Sequence, residues 1–305
     1  MTMNQFYKNL SVPTGKIDMV LDTDAYNEID DQYAIAYMLR SSDRLNVKAL
    51  YAAPFFNPNS ESPSDGMYRS YEEIKHIITL AGRADLADVT YKGSVEYLAN
   101  ETTPVISDAA NHLVALAKAY SPENPLYVVA IGAITNVASA LLIDPSIAEN
   151  IVVVWLGGHS LELGAGEFNM KQDIAAARVV YNSGVPYVQL PCMGVVSEFR
   201  ISEPELDYWL VGKNPLCDYL AQHTKDAANR YAKGLSWTRV IWDVTAVAWL
   251  LNDGERFMKG KIISRNLPNY DKQYNYTPGG MPMTYVYQIR RDKLMQDLIS
   301  KLTAN

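Results

Sequence analysis

The sequence predicts an α/β protein with a mostly parallel central sheet, helices on both faces and a helical elaboration in the C-terminal half. Three observations predict it. The short apolar runs are continuous rather than alternating, the pattern of strands covered on both sides. Helical stretches alternate with those runs over the first 190 residues, the order of βα units. No repeat, low-complexity tract or linker divides the 305 residues, so one domain spanning 1–305 is expected.

The elements follow in order. The apolar run at 17–21 stops at acids and reads as a strand, and 30–40 follows with helix-forming residues at apolar spacing. A strand over 45–52 and a helix over 66–81 repeat the alternation. Ser107 stands where its side chain caps a helix over 107–120. The run 126–131 is a strand ahead of a helix over 135–142. Next come a strand over 151–156, a helix over 173–183 and a strand over 185–190. From Glu203 the chain reads as mostly helical, with helices over 215–233 and 243–251. Pro and Gly cluster over 266–282, a surface loop, before a strand near 283–289 and a last helix over 292–302.

Composition excludes several classes. With 48% apolar and 20% charged residues the chain is an ordinary globular one. Its 27 Lys+Arg against 34 Asp+Glu give a net charge of −7, which repels a phosphate backbone and argues against nucleic-acid partners. Two cysteines, Cys192 and Cys217, make neither a disulfide framework nor a Cys-rich zinc site. Residues 1–16 are polar and lack a signal-peptide core. The longest apolar runs, such as 126–134, reach about half of the ~20 residues a membrane span needs. A cytoplasmic protein without membrane partners is expected. The 21 tyrosines, each with a polar tip, suit a site or an interface.

In an open parallel sheet, ligands bind beyond the carboxyl ends of the strands. Asp22, Asp24, Asn57, Thr135 and the stretch after Leu156 all end apolar runs there. Asp22, Asp24, Asp30 and Asp31 put four aspartates within ten residues, a costly concentration of like charge unless a cation offsets it. Hard oxygen ligands with no nearby His or Cys suit Ca²⁺ or Mg²⁺. The alternative for Asp30 and Asp31 is a helix N-terminus that attracts acids through its dipole.

Four blocks in this order resemble the inosine-uridine-type nucleoside hydrolases. The first is the strand and Asp22-Thr23-Asp24-Ala25-Tyr26-Asn27-Glu28-Ile29-Asp30-Asp31, two residues longer than the family pattern and without its Pro-Gly. The second is Gly132-Ala133-Ile134-Thr135-Asn136, the third Gly166-Glu167-Phe168-Asn169 with Asp173, Ala175 and Ala176, and the fourth Trp242-Asp243 before an apolar helix. The resemblance spans about residues 16–252. It implies a divergent calcium-dependent enzyme that hydrolyses the N-glycosidic bond of ribonucleosides to ribose and free base, in purine and pyrimidine salvage, as a homodimer or homotetramer.

By that resemblance Asp24, Asp31, Asp243 and the carbonyl of Thr135 hold Ca²⁺, and Asp24 is the general base for the calcium-bound water. Asp30 and Asn57 bond the ribose, Glu167 and Asn169 hold its hydroxyls beside Phe168, and Asp22 orients the ligands. The residue types fit this chemistry. Glycosidic cleavage builds positive charge on the sugar, which carboxylates and amides at its hydroxyls stabilise.

Departures concentrate on the leaving-group side. Trp242 stands where many members place a histidine before the late aspartate, and the asparagine that precedes the Glu-Phe-Asn block has no counterpart. His159, after Gly157-Gly158 at a strand end, is the histidine placed to enter the site, whereas His76 and His112 fall inside helices. Trp242, Tyr231, Trp237 or the tyrosines of 270–276 can stack on a base, or serve as ordinary core aromatics. The two-residue insertion adds Glu28, either to the metal shell or to the pocket wall. Two other readings stay open. One is a non-catalytic ribose- or nucleoside-binding protein. The other is a Mg²⁺-dependent phosphatase with Asp22 as nucleophile, although the Gly-Asp pair of that class is missing.

Overall fold

The computed structural model describes residues 1–276 and 279–304; Thr277 and Pro278, within the loop expected over 266–282, and Asn305 lie outside the described residues. The strands are β1 (Ile17–Thr23), β2 (Leu45–Ala52), β3 (Thr90–Lys92), β4 (Leu126–Ala130), β5 (Ile151–Leu156), β6 (Tyr187–Leu190), β7 (Arg200–Ser202), β8 (Thr238–Val240), β9 (Met258–Ser264), β10 (Leu267–Pro268), β11 (Tyr274–Asn275) and β12 (Pro282–Ile289). The helices are α1 (Met3–Asn9), α2 (Asp30–Leu39), α3 (Pro63–Leu80), α4 (Asp108–Ala117), α5 (Thr135–Ile143), α6 (Phe168–Gln172), α7 (Ile174–Asn182), α8 (Glu203–Trp209), α9 (Pro215–Ala232), α10 (Val244–Trp249) and α11 (Arg291–Thr303).

The central sheet has the order β3-β2-β1-β4-β5-β6-β12-β9, parallel throughout except that β9 runs antiparallel to β12. Burial explains the continuous apolar runs. Met19 and Leu21 of β1 pack on one face with α2, α3, α10 and α11, and Val20 between them packs on the other with α4, α5 and α7. Every residue of β4 and β5 is buried, so neither strand has a polar side to alternate with.

The strand order reverses at β1 and β4. From β1 the chain crosses through α2 to β2 on one side, and from β4 it crosses through α5 to β5 on the other. The two crossovers cover opposite faces, so a crevice opens where they part, beyond the ends of β1 and β4. Asp22-Thr23-Asp24 and Ile131-Gly132 sit there, tied by the Ile131 N–H donating to the Asp22 carbonyl at 2.8 Å.

Several element bounds differ from the sequence reading for local reasons. α3 starts at Pro63 because Ser62 caps it, accepting from the Asp65 N–H at 3.1 Å, with proline at a position that needs no donor. β6 begins only at Tyr187, after Pro186, which has no N–H to give the ladder. The second half also contributes sheet. β9 is an edge strand carrying Lys259, Gly260 and Lys261, whose charge protects an edge and hides its strand pattern. Ser107 caps α4 as expected, accepting from Ala110 at 3.1 Å. The stretch after Asn266 is more than a loop: β10 and β11 pair, and the Lys272 carbonyl accepts from Ala165 at 2.8 Å.

Candidate active site

The first strand delivers the acids. Asp22 is the penultimate residue of β1 and Asp24 the first beyond it, and both are fully buried. Asn136, in the first turn of α5, donates from Nδ2 to Asp22 Oδ1 at 2.7 Å and to the Ala52 carbonyl at 3.1 Å, and its Oδ1 accepts from the Ser94 N–H at 2.7 Å. In the sequence the signal for this amide is its place beside Thr135, four residues past Gly132 and just beyond the end of β4. Gly132 makes room for Asp24, since a β-carbon there would stand 3.0 Å from the Asp24 carboxyl carbon.

Asp30 and Asp31 open α2, yet neither is a dipole-seeking cap alone. The cap residue is Ile29, without a side-chain bond, and Asp31 Oδ1 accepts instead from the Thr23 hydroxyl. Asp243 stands at the cap of α10 and also makes no capping bond; its carboxyl meets that of Asp30. Carboxylate oxygens of Asp30, Asp31 and Asp243 lie within 4.8 Å of one another. Asp24 stands outside that triplet but next to it, with both oxygens buried and unpartnered. Asp31 Oδ2 and Asp22 Oδ2 are likewise buried without a partner.

Electrostatics follow from this crowding. Burial pushes Asp24, Asp31 and Asp243 well above the usual carboxylate range, and the neighbouring aspartates push further. Asp30 is pushed up to about 7 by burial and by Glu28, against the pull of an Asp243 hydrogen bond and the Arg239 charge. A hard divalent cation fits this donor set: its ligands would be oxygens, one from each of Asp30, Asp31 and Asp243 already converges, and Asp24 beside them holds two without a partner.

A second group faces the acids from α6 and the loop after β5, anchored to the ends of β4 and β5. Glu167 caps α6, accepting from Asn169 N–H at 2.8 Å, Met170 N–H at 2.9 Å and Gly158 N–H at 3.0 Å. Asn169 donates from Nδ2 to the Ile131 and Leu156 carbonyls, both at 3.0 Å, which leaves its Oδ1 as the group it can offer a ligand. Asp173 stays outside this site: it caps α7 and accepts from the Thr135 hydroxyl at 2.7 Å, so the Thr135 side chain braces the turn rather than capping α5.

Between the two groups lies a cleft of about 160 Å³, lined by Asp30, Asp243, Glu167, Phe168, Asn169, His159 and Trp242 among the sequence-predicted residues. Ile131, Leu156, Asn27, Glu28, Cys192 and Met193 complete it. Cys192 and Met193 follow β6, so the strand-end rule applied to that strand would have found them. The Met193 N–H donates to His159 Nδ1 at 3.3 Å, and burial with Lys171 lowers the His159 pKa. Asn57 is not brought to this cleft. Its Nδ2 donates to Asn27 Oδ1 at 2.5 Å, and it lines a second cavity of about 300 Å³ on the far side of Asn27 and Glu28. Tyr231 lines that second cavity, and Tyr274 instead supports the Gly158-His159 turn, its hydroxyl donating to the His159 carbonyl at 3.2 Å. Glu28 does not join the acid cluster; it pairs with Arg239 at 2.5 Å.

Residues 19–275 match the family described as inosine-uridine preferring nucleoside hydrolase. The chain is 26% identical over 248 residues to the pyrimidine-specific ribonucleoside hydrolase RihA of Citrobacter koseri, covering 73% of this chain and 76% of that protein. It is 26% identical over 264 residues to RihA of Escherichia coli strain HS, covering 77% and 79%. Among solved structures, the plant nucleoside hydrolase PpNRh1 superposes with a TM-score of 0.73 at 20% identity, over 95% of this chain and 99% of that one. The purine-preferring ribonucleoside hydrolase from Gardnerella vaginalis superposes with a TM-score of 0.73 at 17% identity, over 94% and 98%. Among the described residues no helix is long and apolar enough to cross a membrane.

Proposed function

The chain belongs to the inosine-uridine preferring nucleoside hydrolase family and hydrolyses the N-glycosidic bond of ribonucleosides; from that premise we propose that Asp24 is its general base and that the metal it depends on is Ca²⁺. One observation carries the assignment: Asp24 holds two buried, unpartnered carboxylate oxygens beside Asp30, Asp31 and Asp243. Asp24, Asp31, Asp243 and the Thr135 carbonyl would hold the ion, with Asp30 shared between it and the sugar. When bound, such an ion lowers the pKa of water and orients the ribose hydroxyls.

The chain's own groups do the rest. Asp24 takes the proton of the attacking water, the role its two buried, unpartnered carboxylate oxygens leave open. Asp30, Glu167 and Asn169 grip the ribose, and their negative charge and dipoles favour the oxocarbenium-like state over the neutral sugar. Phe168 and Trp242 wall the cleft and His159 closes its rim. Release of a reusable base fits purine and pyrimidine salvage, and a cytosolic homodimer or homotetramer belongs to the same proposal.

The test is reducing-sugar release from inosine, adenosine, guanosine, uridine and cytidine, with Ca²⁺, with chelator, and in Asp24→Asn. Release that needs the ion and collapses in Asp24→Asn is expected. Chelator-insensitive release, or an Asp24→Asn enzyme within a few-fold of wild type, would overturn the assignment.

A further inference from the structure

The leaving base needs its own stabilisation, and Trp242 has no proton to give in place of a histidine. Resting on the proposed reaction, we infer that Arg239 supplies it: its guanidinium pairs with the departing base as an anion, at the boundary between the cleft and the second cavity. Four observations meet on this residue.

Arg239 sits on β8 and lines the second cavity. Its Nη2 donates to Glu28 Oε2 at 2.5 Å, and Glu28 together with Asn27 lines both the cleft and that cavity. The guanidinium is therefore held at the one wall the two spaces share. Its Nη1 reaches the Tyr231 hydroxyl at 3.3 Å, with the ring centroid 5.7 Å from the guanidinium carbon, so its plane is fixed. Its Nε is buried and has no partner, a donor left over after both clamps are made. A ribose gripped by Asp30, Glu167 and Asn169 would put its base against Asn27 and Glu28, the wall that Arg239 backs from the second cavity.

The step balances without a general acid. The water oxygen bonds to C1′ and its proton passes to Asp24. The C1′–N bond breaks with its electron pair going to the base nitrogen. The base departs as an anion paired with the guanidinium and takes a proton from solvent after release. A permanently charged planar fork suits an anion spread over a ring nitrogen and an adjacent acceptor, such as O2 of a pyrimidine. The substrates favoured are nucleosides of acidic bases, uridine above cytidine.

The experiment compares natural nucleosides with p-nitrophenyl riboside, whose leaving group needs no help. Arg239→Ala should lose about 100-fold in kcat on uridine, the scale of one preorganised donor, and less than about threefold on p-nitrophenyl riboside. Arg239→Lys should recover part of the loss, and added guanidinium should rescue Arg239→Ala on uridine alone. Ca²⁺-dependent thermal shifts of both variants establish that they fold and keep the ion. The double variant Glu28→Gln/Arg239→Ala should show the same selective loss. Equal losses on both substrates, or recovery of uridine cleavage in the double variant, would overturn the inference, the latter by showing that an unpaired Glu28 caused the loss. A wild type that cleaves p-nitrophenyl riboside but no nucleoside would overturn it as well. A wild type that cleaves neither overturns the reaction itself.

Discussion

Asn136 and Asp22 are 114 residues apart in sequence, and a 2.7 Å hydrogen bond from the amide to the carboxylate joins the second crossover helix to the end of the first strand. That bond fixes the floor on which Asp24 stands. The same amide also bonds the Ala52 carbonyl and the Ser94 N–H, so one side chain ties together the ends of β1 and β2 and the segment after β3.

Asn136→Ala should therefore cost about 2–4 kcal/mol of stability, because it strands a buried carboxylate and two buried backbone groups. Urea unfolding measures it as a drop in midpoint at constant slope. A shift below about 0.5 kcal/mol would show that water replaces the amide.

Asp24→Asn separates catalysis from stability. It should lower kcat by roughly 10²–10⁴-fold, the range of a lost general base. In chelator it should raise Tm, because the neutral amide relieves the repulsion among buried Asp24, Asp30 and Asp31. Differential scanning fluorimetry with and without Ca²⁺ reads both arms; a lower Tm in chelator would contradict the electrostatic account.

Metal removal has a pH signature of definite sign. Asp30 and Asp22 are each raised by burial from 3.8 to about 7, so the metal-free folded state holds protons that the unfolded chain has released. Its stability should fall as pH rises from about 4 through 7. Added Ca²⁺ should flatten that fall and stabilise by about 2.7 kcal/mol at a concentration 100 times its Kd. Tm measured from pH 5 to 8 in chelator and in Ca²⁺ would show two diverging curves; parallel curves would place the ion elsewhere.

Gly132→Ala tests the packing under the acids. The new β-carbon would lie 3.0 Å from the Asp24 carboxyl carbon and 3.1 Å from the Ala53 β-carbon. A cost of about 1–3 kcal/mol is expected from overpacking, with weaker Ca²⁺ binding by titration calorimetry. Unchanged Ca²⁺ affinity would show that Asp24 can move aside without loss.

The sequence by itself determined the α/β class and the edge of the sheet where the buried acids gather. Continuous apolar runs such as 126–131 and 151–156 have no polar face, and that pattern is local enough to be read without a fold. The acids at the end of β1 were legible for the same reason, since charge that ends an apolar run has to serve something. Edge strand β9 and the β10–β11 ribbon were not legible. Lysine, glycine and proline there obey edge protection and turn geometry rather than periodicity.

Tertiary structure alone decided which spread-out polar residues meet. Asn57 carries a strand-end signal like that of Asp24, yet a bond to Asn27 turns it into the second cavity. Glu28 reads as either a metal-shell acid or part of the pocket wall; it lines the cleft, and its charge is paired by Arg239, 211 residues later, which nothing nearby in sequence marks. Strand and helix patterns follow from burial of neighbours at fixed spacing. Ion pairs and hydrogen bonds across crossovers follow from where loops of unequal length return, and that is set only when the sheet is assembled.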